Sequence, residues 1–253
     1  MVEIRSEAPL AEVTGRWDGN EIPFWKPPIK NEADVRYALL GLDLENPAGG
    51  GDFSVSGATT AGDSVTCTAH LTVEQGQFAT EKLTVPEQYV EPNAEQLARA
   101  DAERDRLRAI FAQVTPEKLW EGPFRIPIAG ARSFGNFGKR RVLNGQASSP
   151  HSGVDIPAAS GTPVHASQRG RVVLAEPLYF SGNTVVVDHG LGVYTFYGHL
   201  SAIDVKTGDA VIAGQTLGRV GATGRATGPH LHWGLTVNRA RVNSLDIVRL
   251  AVR

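Results

Sequence analysis

Two short motifs carry residues whose types and spacing suit joint chemistry. In GATGRATGPHLHWGLTVN, Gly221 to Asn238, a glycine- and proline-rich loop runs into the alternating stretch HLHWGLTV, which reads as a β-strand. Side chains two apart on a strand share a face, so His230 and His232 point one way and Leu231 the other. Upstream, in SPHSGVDIPAASGTPV, His151 and Asp155 lie four positions apart and can converge on either a helix or a strand. Added to one histidine of the later pair they make a His, Asp, His set. Zinc takes these ligand types, and a catalytic zinc typically keeps three protein ligands and leaves its fourth position to water. A His-x-His alone is weak evidence, because alternating strands carry paired histidines for ordinary reasons.

The rest of the sequence bounds what such a site can belong to. At 253 residues, with 41% hydrophobic and 21% charged residues and 28 glycines, the chain has the composition of a turn-rich globular protein of one large or two modest domains. A net charge of −2 gives no bulk attraction to nucleic acid or anionic membrane. Cys67 is the only cysteine, which excludes a disulfide within the chain and a cysteine-based zinc site. No run approaches the length of a transmembrane helix, and MVEIRSEAPLAEV lacks the basic start and apolar core of a signal peptide. A chain whose signal has already been removed presents the same start.

The elements that must position the motifs follow in order. Residues 1–90 carry short alternating segments, Val35 to Leu44, Ser64 to Val73 and Gln77 to Val85, between glycine-rich or acidic turns, and predict a small β-sandwich of immunoglobulin-like type. His70 lies in one of these strands, far from the other histidines, and reads as an ordinary strand residue. Residues 91–122 hold a connecting helix: Asn93 caps it, Leu97, Leu107, Phe111 and Val114 form a stripe, Pro116 follows its end, and its dense charge predicts a solvated face. Residues 123–253 return to β and stay there, with strands at Pro163 to Ala166, Gly170 to Ala175, Asn183 to Asp188, Gly192 to His199 and Val211 to Gly218 before the His-x-His strand. The fold class is therefore all-β, with an antiparallel sheet in the second domain.

Within that domain NTVVVDHGLGVYTFYGHLS predicts a hairpin around DHGLG. Tyr197 and His199, two apart, are expected on one face, with His199 at the strand end where a sheet commonly opens into a cleft. His189 falls in the turn beside Asp188, and His165 in a short strand. The functional candidates among seven histidines are His151, His199, His230 and His232.

The motifs together resemble the lysostaphin-type (LytM-like) zinc endopeptidases that cut peptide cross-links of bacterial peptidoglycan. The resemblance rests on SPHSGVDIPAASGTPVHA, GRVV, VVVDHGLGVYTFYGHLS, VKTGDAVIAGQTLGRVGATG and GPHLHWGL, in that order over about residues 124–245, and SFGNFGKRRVLNGQ resembles the family's loop leading into the site. It implies one zinc ion per chain held by His151, Asp155 and His232, with His199 and His230 as the two catalytic histidines that are not ligands. It further implies a C-terminal catalytic domain of lysostaphin type, stem peptides of peptidoglycan as the substrate, and a location outside the cytoplasm after removal of a signal peptide. None of the five residues is replaced, against the degenerate relatives that only activate other hydrolases.

The chemistry fits those positions. No HExxH is present to supply a glutamate base, so His199 and His230 are the available proton acceptors and donors, and either, when protonated, can stabilise an oxyanion. Tyr197 is expected either to hydrogen-bond the tetrahedral intermediate or to pack. Arg140 and Arg141, with Lys139, either grip stem-peptide carboxylates or form a solvated loop. Against the peptidase stand a cell-wall binding or activator module without turnover, and a β-rich adhesion protein with a structural metal. The oligomeric state is left open.

Overall fold

The computed structural model describes residues 1–27, 34–131 and 135–250. Its first unit has six strands: β1 (Val2–Ser6), β2 (Leu10–Trp17), β3 (Asn20–Trp25), β4 (Asp34–Ala38), β5 (Gly49–Thr59) and β6 (Ser64–Val73). They hydrogen-bond along one path, β1-β4-β3-β2-β5-β6, because β3 pairs with β2 over residues 20–23 and with β4 over 24–25. Trp17, Ile22, Ala38 and Phe53 form its core, joined by Val2 from one end of the path and by Leu71 and Val73 from the other. The strands thus follow one hydrogen-bonded path with β3 passing from β2 to β4, and the immunoglobulin-like sandwich expected from the sequence is not confirmed.

Beyond Ala38 the chain leaves that sheet for the second domain, so the strand expected through Leu44 is cut short. Leu39 and Trp25 pack with Trp120, Phe124, Val193 and Val237. Asn238 Nδ2 donates to Leu39 O at 2.8 Å, and Arg241 forks onto Asp43 at 2.6 and 2.9 Å. The segment QFATEKLTV also departs from expectation. Its strand, β7 (Thr80–Leu83), pairs in parallel with β8 (Arg140–Leu143), which continues into β9 (Gln146–Ala147), so it belongs beside the second domain.

Helix α1 (Ala94–Ala112) starts at Asn93, whose side chain and that of Gln96 close a reciprocal capping box. Leu107, Ile110 and Phe111 pack on Leu174, Leu178, Val186 and Tyr194. Leu97 and Val114 stay exposed, so the apolar stripe is narrower than the sequence suggested. The other face carries ion pairs such as Arg99–Glu103 and Arg104–Asp101.

The second domain adds β10 (Gly153–Pro157), β11 (Pro163–His165), β12 (Gly170–Leu178), β13 (Gly182–Asp188), β14 (Val193–Ile203), β15 (Ala210–Val211), β16 (Thr216–Val220), β17 (His230–Val237) and β18 (Ala240–Val242). All pair antiparallel in one sheet ordered β10-β17-β14-β13-β12-β15, with β16 joining β11 to β14 and β18 flanking β17. The expected strand Val211 to Gly218 is broken by Gly214, whose φ of 82° turns the chain between β15 and β16. The sequence pattern also missed α2 (Ser244–Arg249), capped by Asn243, which buries Leu245 and Ile247. No helix among the described residues is long and apolar enough to cross a membrane.

Candidate metal centre

β17 lies between β10 and β14, and this places the site. Asp155 on β10 is directly opposite His232 on β17, which is in turn opposite Gly198 on β14. His151 reaches the same point from just before β10, where its backbone is gripped by residues 138 and 139: Gly138 N donates to His151 O at 2.8 Å and His151 N donates to Lys139 O at 2.9 Å. Gly153 permits the close approach, since a Cβ there would stand 2.8 Å from the His232 ring.

The three polar atoms converge. His151 Nε2 is 2.9 Å from His232 Nδ1 and 3.0 Å from Asp155 Oδ1, and His232 Nδ1 is 2.9 Å from Asp155 Oδ1. His151 Nδ1 lies 2.9 Å from the carbonyl of Asn136, which can only accept, so the proton sits on Nδ1 and the Nε2 lone pair faces the cluster. That is how ligating histidines are commonly held. Burial alone would raise the Asp155 pKa, but the close imidazoles of His151 and His232 outweigh it and hold the carboxyl well below the usual carboxylate range. Burial lowers His232 to about 4. A carboxylate and two imidazoles aimed at one point fit a divalent cation.

Two further histidines flank the cluster. His199 and His230 rings are 4.8 Å apart, and His199 is 5.9 Å from His232. Each commits Nδ1 to a backbone carbonyl, His199 to Thr223 at 2.8 Å and His230 to Gly228 at 2.8 Å, leaving both Nε2 atoms as acceptors. His230 Nε2 is 3.6 Å from Asp155 Oδ1. Burial, reinforced by the neighbouring imidazoles, lowers His199 to about 3, so it stays neutral at physiological pH.

Strict alternation would have sent His199 elsewhere. Tyr197 pairs with Trp233, and both side chains are fully buried in the core. His199 has a φ of 63°, and the β13–β14 register shifts across this stretch. The irregularity re-aims His199 onto the site face, as bulges near active sites do. The expectation that Tyr197 shares its face therefore fails: the Tyr197 hydroxyl is held by Ser167 N at 2.8 Å, Ser167 Oγ at 3.0 Å and Thr195 Oγ1 at 2.9 Å. Tyr197 is a packing residue.

The two arginines also separate. Arg141 donates to Asp155 Oδ2 at 2.5 Å, with Glu81 of β7 3.6 Å from its Nε, whereas Arg140 is exposed on β8. His189 lies in the core with no exposure, its ring nitrogens at 2.7 Å from Arg169 O and 2.7 Å from Thr195 Oγ1. Ser133 and Phe134 of the loop leading into the site lie outside the described residues. The sequence reading passed over Asn136, whose carbonyl orients His151 and whose Oδ1 accepts from Asp155 N at 3.0 Å, although its loop had been noted. It also passed over Arg225, which lies in the glycine-rich loop before the His-x-His strand.

The β-sheet domain thus carries a His, Asp, His cluster flanked by two further histidines. Residues 149–244 match the model of Peptidase family M23, and the chain carries a domain of that family. It is 38% identical over 146 residues to peptidoglycan DD-endopeptidase ShyA of Vibrio cholerae, covering 57% of this chain and 31% of that protein. It is 42% identical over 97 residues to DD-carboxypeptidase/endopeptidase Mpg of Neisseria meningitidis, covering 38% of this chain and 22% of that one. The match thus spans under a third of either relative's length. A solved structure from Pseudomonas aeruginosa, described as a candidate M23 peptidase, superposes with a TM-score of 0.68 at 27% identity, covering 98% of this chain and 92% of that one.

Proposed function

We propose that this chain is a zinc-dependent endopeptidase that hydrolyses the peptide cross-links of bacterial peptidoglycan, outside the cytoplasm. The observation that carries the reading is the convergence of His151 Nε2, Asp155 Oδ1 and His232 Nδ1 within 3.0 Å of one another, beside two histidines whose Nε2 atoms are free to accept a proton. The names of the relatives, DD-endopeptidases and a DD-carboxypeptidase/endopeptidase, support peptidoglycan as the substrate.

His151, Asp155 and His232 would hold the metal. When bound, zinc supplies a Lewis acid for a peptide carbonyl and makes water nucleophilic near neutral pH. The chain's own residues do the rest. His230 is the better placed proton carrier, because a proton taken on its Nε2 is faced by Asp155 Oδ1 at 3.6 Å. From there it can pass to the leaving amine. His199, kept neutral by burial, offers an acceptor that orients the attacking water or a substrate N–H. Arg141 holds Asp155 by its outer oxygen and leaves the inner one for the metal.

A binding or activator module without turnover would need none of the proton-handling histidines, and both are present with free acceptors. The test is digestion of purified sacculi by zinc-loaded protein, with and without a chelator. Release of uncross-linked muropeptides, abolished by chelation and restored by zinc, is the expected result. Zinc binding with no released peptide would overturn the enzyme reading in favour of the module.

A further inference from the structure

The cleft around the histidines opens into two cavities. One, of 280 Å³, is bounded in part by His151, His199, His232 and Phe180; the other, of 620 Å³, by Asp155, His230 and Pro229. Arg141 and Arg225 border both. The cations of this cleft have very different surroundings. Arg141 is tied to Asp155, Lys139 to Glu81 at 2.8 Å, and Arg241 to Asp43 and Glu45, each at 2.6 Å. Among the described residues, Arg225 alone of these four has no carboxylate partner.

Its position is nonetheless fixed. Arg225 N donates to Phe180 O at 2.7 Å, and the guanidinium lies 4.6 Å from the centre of the Phe180 ring. Gly224 presses the loop onto the β12–β13 turn: with φ of 73°, a Cβ there would stand 2.4 Å from Gly182 N and 2.5 Å from Phe180 O. Burial, and after it the charge of Arg141, works against the Arg225 cation. A desolvated cation costs stability unless paired, and stacking on one phenyl ring offsets only part of that cost. The planar fork of an arginine matches a carboxylate at two points.

We propose that Arg225 is a specificity-determining residue of the cleft, pairing its guanidinium with a free carboxylate of the substrate peptide close to the scissile amide. The proposal rests on the peptidase reading and adds to it the class of substrate: an anionic peptide, read at one carboxylate by the one cation of the cleft that has no carboxylate partner among the described residues. The pairing helps to hold the amide against the histidines, so its loss weakens binding more than turnover.

The experiment compares zinc-loaded wild type, Arg225→Gln and Arg225→Lys on a cross-linked stem-peptide dimer with its carboxylates free or amidated. Turnover and calorimetric binding are both measured. Amidation should raise the wild-type KM and Kd about 10- to 100-fold, the loss of a charge-assisted pair. Arg225→Gln should show that weakening on the free acid and little further response to amidation, with Arg225→Lys between. If wild type handles acid and amide alike, or if Arg225→Gln keeps the full preference for the acid, the proposal is overturned while cleavage still upholds the enzyme reading. If no peptide is cleaved but the acid binds in an Arg225-dependent way, the peptidase reading falls and the carboxylate subsite stands.

Discussion

Arg141 and Asp155 form a 2.5 Å contact from Nη2 to Oδ2, while the other carboxylate oxygen, Oδ1, is the one that meets His151 and His232. The geometry divides the carboxylate's work: one oxygen is fixed by a cation and the other points into the donor cluster. Arg141→Met removes the fixing hydrogen bond and keeps an unbranched apolar stem. Zinc affinity should fall roughly 10- to 100-fold, the usual effect of losing a group that orients a metal ligand. Competition with a chromogenic chelator measures it, and an unchanged affinity would show that Asp155 is held well enough without Arg141.

His189 gives a pH-dependent prediction away from the metal. Burial lowers it to about 4, whereas unfolded chain protonates near 6.5. The folded pKa is the lower one, so the unfolded state binds more protons between these values and stability falls as pH drops from about 6.5 towards 4. The linked contribution is on the order of 3 kcal/mol at most. His189→Gln can keep partners at Arg169 O and Thr195 Oγ1 without titrating. Denaturant midpoints from pH 7 to 4 should decline less steeply in the variant; parallel declines would mean that His189 does not titrate in this window.

Gly224→Ala tests the loop that carries Arg225 and leads to His230. The methyl group meets backbone at 2.4 and 2.5 Å with a positive φ, so the loop must move. A cost of roughly 1–3 kcal/mol is expected. Because the loop lies over the cleft and not in the core, activity should drop at least tenfold with little change in the circular dichroism of the sheet. Full activity would show that the loop relaxes without disturbing the site.

Asp43 and Arg241 join the first unit to β18; burial alone would raise the Asp43 carboxyl, but the hydrogen bonds from Arg241 outweigh it and hold it, net, below its usual range. Both side chains are partly exposed, so Asp43→Asn should cost only about 1 kcal/mol. Thermal unfolding measures it, and an unchanged Tm would mark the contact as incidental.

Much of this site could be read before any coordinates. His151, Asp155, His230 and His232 sit in local patterns, and strand alternation correctly put His230 and His232 on one side. Alternation failed at His199, because a left-handed residue and a register shift are not visible in a period of two. It failed for the same reason at Tyr197, whose hydroxyl finds Ser167 thirty residues away. Arg141 and Arg225 were out of reach in a different sense. Both are cations in polar loops or short strands, and only the ion pair of Arg141 with Asp155, and the lack of a carboxylate partner for Arg225 among the described residues, distinguishes them. The strand order of the first unit was likewise hidden, since β3 changes partner in mid-strand and β7 pairs across to β8.

The most direct test of the metal-centre account is zinc content measured beside peptidoglycan turnover for wild type, His232→Ala and His230→Ala. The account predicts one zinc per wild-type chain, loss of the metal in His232→Ala, and retained metal in His230→Ala with turnover reduced roughly 10²- to 10⁴-fold. Wild-type zinc content in His232→Ala, or wild-type turnover in His230→Ala, would contradict it.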